Sequence, residues 1–173
     1  SSFSHTCFLG RLGRIEGILV ADPPFADEAG IIVPFERFDG RTLWAWVERH
    51  GPKAESDQRA DLMARTDLWL QLAETLDAAH AQGVVHRLLR PEAVLVEDAI
   101  APKVLRVTDF DLAKQIGSDV GGRTVLLSTL GDDRLRMAAP EVVDAFSSAT
   151  PASGQFSLGA LLALLLAGRP LFD

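Results

Sequence analysis

Charged side chains that could handle an anion or a metal are gathered in two short stretches, His86-Arg87-Leu88-Leu89-Arg90-Pro91-Glu92-Ala93-Val94-Leu95-Val96 and Thr108-Asp109-Phe110-Asp111. A third stretch, Ala139-Pro140-Glu141, follows them. Arginine carries a permanent cation whose planar donors suit phosphate, and aspartate offers carboxylate oxygens. The residues set between them are inert: Leu88 can neither take a proton nor polarise a hydroxyl, and Ala93 has no oxygen to give a metal. At these two positions the group offers neither a proton acceptor nor a metal ligand.

Taken singly, an H-R or a D-F pair is frequent by chance. In this order and spacing, the three stretches resemble the protein-kinase catalytic core, whose catalytic loop reads H-R-D-L-x-x-x-N, whose metal turn reads D-F-G and whose activation segment ends in A-P-E. The resemblance covers roughly residues 14 to 173. It implies an α+β, protein kinase-like fold made mostly of the helical C-terminal lobe with remnants of the N-terminal sheet. Residues 1–35 would be the last two strands of the small lobe, 36–41 the hinge, and 42–173 a truncated large lobe.

In that family the loop aspartate accepts the proton of the attacking hydroxyl and the loop asparagine holds a second magnesium ion. The resemblance puts Leu88 and Ala93 at those two positions. Arg90 falls where a lysine often neutralises the transferred phosphate, and it keeps the charge. Asp109 keeps the metal-binding carboxylate, while Asp111 stands where a glycine gives the turn unusual backbone angles. His86 is implied to be structural, bonded to backbone and packed on Phe110. Glu36 and Phe38 would lie on the hinge whose backbone meets adenine, Leu95 would pack beneath the base, and Phe35 would guard the back of the pocket.

ATP and magnesium are the cofactors so implied, with Asp109 the metal ligand. Weak binding is expected, because no G-x-G-x-x-G stretch and no lysine precedes Lys53, and phosphate-cradling amides and a strand lysine are main sources of nucleotide affinity in this fold. Arg134 stands where active Ser/Thr kinases place a threonine to position substrate, and Gly154 where an aspartate anchors the catalytic loop. Thr124, Ser128 and Thr129 lie in the activation segment with Arg87 as the family's phosphate-reading arginine. Ordinary surface hydroxyls are the favoured reading of those three.

Composition sets outer limits. The 173 residues suit one domain with a real core. Hydrophobic residues at 47% and charged residues at 24% are ordinary for a folded chain. A net charge of −7 and a pI near 5.0 disfavour a nucleic-acid groove or an anionic membrane surface. The lone Cys7 leaves no internal disulfide and fits a reducing, cytoplasmic setting. The longest uncharged run, Phe156 to Gly168, falls short of the about 20 apolar residues a membrane helix needs. No signal peptide is visible, and the missing initiator methionine suggests a piece of a longer protein.

The elements that must position the charged residues are legible in outline. Short β-branched runs over 15–20 and 30–35 around Ala21-Asp22-Pro23-Pro24 suggest two paired strands. Thr42 is the expected N-cap of a helix ending near Gly51-Pro52. Leu68, Leu72, Leu76 and Ala79 recur at helical spacing, so 61–82 is an expected long helix stopped by Gly83. Runs at 94–96 and 104–107 are an expected hairpin, 142–145 a short helix, and 158–167 a buried one. Gly117 to Gly122 looks flexible.

Together these readings lead to the expectation of a catalytically impaired, pseudokinase-type module of a larger protein, regulatory or scaffolding, whose partners are proteins or other domains of its parent. Two alternatives stand beside it. One is a noncanonical ATP-dependent Ser/Thr kinase using Asp109, magnesium and Arg90, with Glu92 or Asp111 as base; the other is an ATP sensor without turnover.

Overall fold

The computed structural model describes residues 12, 15–28, 30–51, 58–116 and 135–171. Its first strands are β1 (Phe25–Asp27) and β2 (Gly30–Ile32), an antiparallel hairpin in which Phe25 faces Ile32 and Asp27 faces Gly30. The hairpin turn therefore follows Asp27, at Glu28, and not at the prolines, whose segment instead runs on toward β1. Upstream of it, Ala21 bridges Phe35, Asp22 N donates to Pro34 O, and Glu36 N donates to Val20 O at 2.9 Å. The run expected as a full strand over 15–20 divides its bonds. Ile18 bridges Val107 in parallel while Val20 turns to Glu36. Gly17 allows this crossing, with φ +91° and Thr75 so close that a Cβ would meet its Oγ1 at 2.0 Å.

β3 (Gly40–Thr42), β5 (Val94–Glu97) and β6 (Leu105–Val107) form an antiparallel sheet in the order β3-β5-β6. Thr42 ends β3 and caps α1 (Leu43–Arg49), its hydroxyl accepting from Ala45 N at 3.2 Å as the sequence predicts. α2 (Gln58–Ala81) is the longest element, and Gly83 follows it at φ +75°. It buries Arg65, Leu68, Leu72, Thr75, Leu76 and Ala79, one stripe at three- and four-residue spacing. β4 (Val84–Val85) pairs with β7 (Lys114–Gln115), a ladder too short to be legible in the sequence.

α3 (Pro140–Asp144) follows Ala139, and α4 (Pro151–Ala167) closes the described chain. α4 starts seven residues earlier than its apolar run suggests, because Thr150 and Ser153 form a reciprocal capping box and Pro151 takes the first helical position. Leu161, Leu164 and Leu165 on α4 are buried against α2, each contributing about 2 kcal/mol by area removed from water. Trp69 Nε1 donates to Leu158 O at 3.0 Å, tying the same two helices. No helix among the described residues is long and apolar enough to cross a membrane.

One buried cation holds three helices together. Arg65 is 2% exposed; its Nε donates to Asp61 at 2.7 Å, Nη1 to Leu165 O at 2.7 Å, and Nη2 to His50 O. Its guanidinium also lies 5.1 Å from the ring centre of Trp46, itself fully buried. A charge this deep is tolerable because its donors meet a carboxylate and two carbonyls.

Candidate functional site

The loop between β4 and β5 and the turn after β6 bring the first two charged stretches together. His86 Nε2 donates to Thr108 O at 2.8 Å, and its ring meets the edge of Phe110 with centroids 4.6 Å apart. Thr108 N donates to Ala93 O at 2.9 Å. These bonds fix the two loops side by side, and the structural role read for His86 is the one the geometry has.

Among the described non-glycine residues, Arg87 and Asp109 alone have positive φ, at +72° and +62°. Both lie in the loops just described, where such backbone strain is held by surrounding contacts. The left-handed residue of the Thr108-Asp109-Phe110-Asp111 stretch is therefore Asp109, and Phe110–Leu112 after it forms a 3-10 turn that includes the backbone of Asp111. The side chain of Asp111 lies outside the described residues.

Asp109 and Arg90 meet directly, Arg90 Nη2 donating to Asp109 Oδ2 at 2.5 Å. The Arg90 side chain is 14% exposed and that of Asp109 40%. Arg90 also carries a buried Nη1 with no hydrogen-bond partner. Ala93 is fully buried in the 3-10 turn Pro91–Ala93. Among the described residues, no group of three or more His, Cys, Asp or Glu is placed to hold a metal. The residues present thus do not fit a magnesium site of the family's pattern: one ligand position is core alanine, and the other carboxylate is bonded to an arginine.

Leu88 is only 6% exposed and belongs to an apolar cluster with Val85, Ala138, Ala139, Val142 and Phe146. It joins the catalytic-loop stretch to the third stretch, Ala139-Pro140-Glu141. Arg87, 7% exposed, is committed inward as well. Its Nε donates to Leu112 O, Nη2 donates to Ala113 O at 3.4 Å, and the guanidinium sits 4.2 Å from the ring centre of Phe146. Burial pushes its pKa below the ordinary arginine value. The carbonyls and ring thus take up the cation that the resemblance assigned to a phosphorylated hydroxyl. Thr124, Ser128, Thr129, Arg134 and Gly117 to Gly122 lie outside the described residues.

Glu36 and Phe38, which the resemblance puts on a hinge, meet a partner that the sequence does not announce. Arg106 on β6 pairs across the ladder with Leu95 on β5, so the two side chains share a face. Its Nε lies 3.4 Å from Glu36 Oε1 and its guanidinium 6.0 Å from the ring centre of Phe38. Glu36 Oε1 also accepts from Val20 N at 3.1 Å. The available signal was a lone arginine in the β-branched run Val104 to Val107. Leu95 is half-buried, while Phe35 is 48% exposed.

Gly154, where the resemblance expects an anchoring aspartate, is met by His80 of α2. A Cβ there would lie 3.0 Å from the imidazole Cε1 and 3.1 Å from Nε2. The loop from His86 to Ala93 has backbone bonds of its own, to Arg90 O and from Thr108 N, and the packing of Leu88.

A family model described as protein kinase domain matches residues 16–173. The serine/threonine-protein kinase PknK of Mycobacterium bovis is 30% identical over 157 residues, which are 91% of this chain and 12% of that protein. A probable serine/threonine-protein kinase of Corynebacterium efficiens is 27% identical over 95% of this chain and 23% of its own length. The MAP kinase-interacting serine/threonine-protein kinase 2 of Xenopus laevis is 28% identical over 86% of this chain and 32% of its own. The chain thus spans about an eighth to a third of these relatives. Kinase domains of this type generally use ATP and magnesium. With a match over nearly its whole length and the three stretches assembled in space, the chain belongs to the protein kinase family.

Proposed function

We propose that this domain is a catalytically impaired, pseudokinase-type member of its family, serving as a regulatory or scaffold module in a longer, cytoplasmic signalling protein. The observation that carries the reading is the burial of Leu88 in the apolar cluster with Ala139 and Val142. A general base must reach the proton it removes, and an aliphatic side chain in the core does neither part of that task. Losing a general base typically costs 10²–10⁴-fold in rate. Protein partners, or other domains of the parent, are then what the module acts on.

The relatives, named as Ser/Thr kinases, favour a second reading, a noncanonical Ser/Thr phosphotransferase. Phosphoryl transfer rests largely on positioning and charge neutralisation, and Glu92, exposed on the 3-10 turn beside Arg90, is a candidate substitute base. A phosphotransfer assay on the full-length parent separates the two, with Asp109→Ala as control. No Asp109-dependent transfer is expected; robust transfer that Asp109→Ala abolishes overturns the regulatory reading.

A further inference from the structure

The Arg90–Asp109 pair bears on metal chemistry, a question separate from the missing base. A divalent cation such as magnesium wants oxygen ligands in near-octahedral array at about 2.0–2.1 Å, usually one or two carboxylates plus waters and phosphate. Here the one carboxylate contributed by the turn already accepts from a guanidinium at 2.5 Å. Its geometry is held on both sides: Asp109 by its left-handed backbone, and Arg90 by an extended backbone locked ahead of Pro91. A metal entering at Asp109 would have to break this charge-assisted bond and then sit beside a displaced cation. At the position of a second ligand it would find the methyl group of Ala93, fully buried.

We propose that Arg90 takes the place of the divalent cation, its guanidinium neutralising Asp109 from within the chain, so that this domain does not recruit a divalent metal there. The proposal goes beyond the impaired-catalysis reading, since a lost base leaves metal binding untouched and a lost metal site leaves the base question open. Arg90 in this role is a resident counter-ion.

Manganese, which is paramagnetic, counts its own binding. Titrating Mn²⁺ into the chain and following the free-ion electron paramagnetic resonance signal gives an affinity for each variant, with circular dichroism checking the fold. Arg90→Met is expected to bind Mn²⁺ about tenfold more tightly than the wild type once a like charge is removed, and adding Asp109→Asn to it returns the affinity to the wild-type level. Equal binding by wild type and Arg90→Met overturns the proposal, as does a gain that survives Asp109→Asn. Should Arg90→Met not fold, Asp109→Asn in the wild-type background decides alone. Unchanged Mn²⁺ affinity is expected, and a clear drop shows that Asp109 was a metal ligand after all.

Discussion

The imidazole of His80 packs on Gly154 so closely that a Cβ there would press on it at 3.0–3.1 Å. His80 hangs from α2 and Gly154 lies in the first turns of α4, so the contact couples the two longest helices.

His80 carries a pH dependence. Burial pushes its pKa below the ordinary 6.5, outweighing the attraction of Asp77. Between the unfolded value and the lower folded one, the unfolded chain binds more protons, so stability falls as pH drops below 6.5 and is independent of this group above it. Urea denaturation across that range should show the slope, and His80→Gln should flatten it. An unchanged slope would mean that other groups titrate there.

Leu88→Asp, which writes back the carboxylate of an active catalytic loop, places a charge in an apolar cluster. The variant should lose about 3 kcal/mol or more of stability, combining lost packing with an unpaired buried polar group. Denaturant melts that match the wild type would show that Leu88 is free to leave the cluster.

Arg65→Met removes the cation that Asp61, His50 O and Leu165 O share. Breaking one side of a buried charged network costs about 3–5 kcal/mol, far beyond what an exposed ion pair such as Arg41–Asp98 contributes. The midpoint shift on chemical denaturation measures it, and a change below about 1 kcal/mol would assign Arg65 to the surface class.

Ser153 Oγ donates to Glu141 Oε1 at 2.6 Å and holds that carboxyl below its ordinary value, helped by a backbone bond. Ser153→Ala should raise the Glu141 pKa toward the ordinary range, read from carboxyl chemical shifts on titration. The lowered value also means that the stabilisation is present above the unfolded carboxyl pKa and is lost as pH falls through the folded one.

Spacing and residue type carried much of this architecture. The period of Leu68, Leu72, Leu76 and Ala79 marked α2, Thr42 marked the start of α1, and β5 and β6 pair at the register Val94 to Val107. These signals are local, since a helix face or a cap is written within a few residues of itself. The start of α4 is equally local, in Thr150-Pro151, but it lies ahead of the apolar run that begins at Leu158. β4 and β7 escaped notice because two residues carry no period, and their pairing joins segments 30 residues apart.

The sequence by itself determined which groups this protein has for chemistry: an aspartate with an arginine in range of the same loops, and a leucine and an alanine where the resemblance calls for a base and a ligand. Only the tertiary structure decided what those groups do to one another. It turned Asp109 and Arg90 into an ion pair, buried Leu88 against Ala139 and Val142, drew Arg87 inward onto Phe146, and set Arg106 beside Glu36 and Phe38. Residue type fixes a side chain's charge and donors, whereas partner and burial depend on segments far apart in the chain meeting in one place.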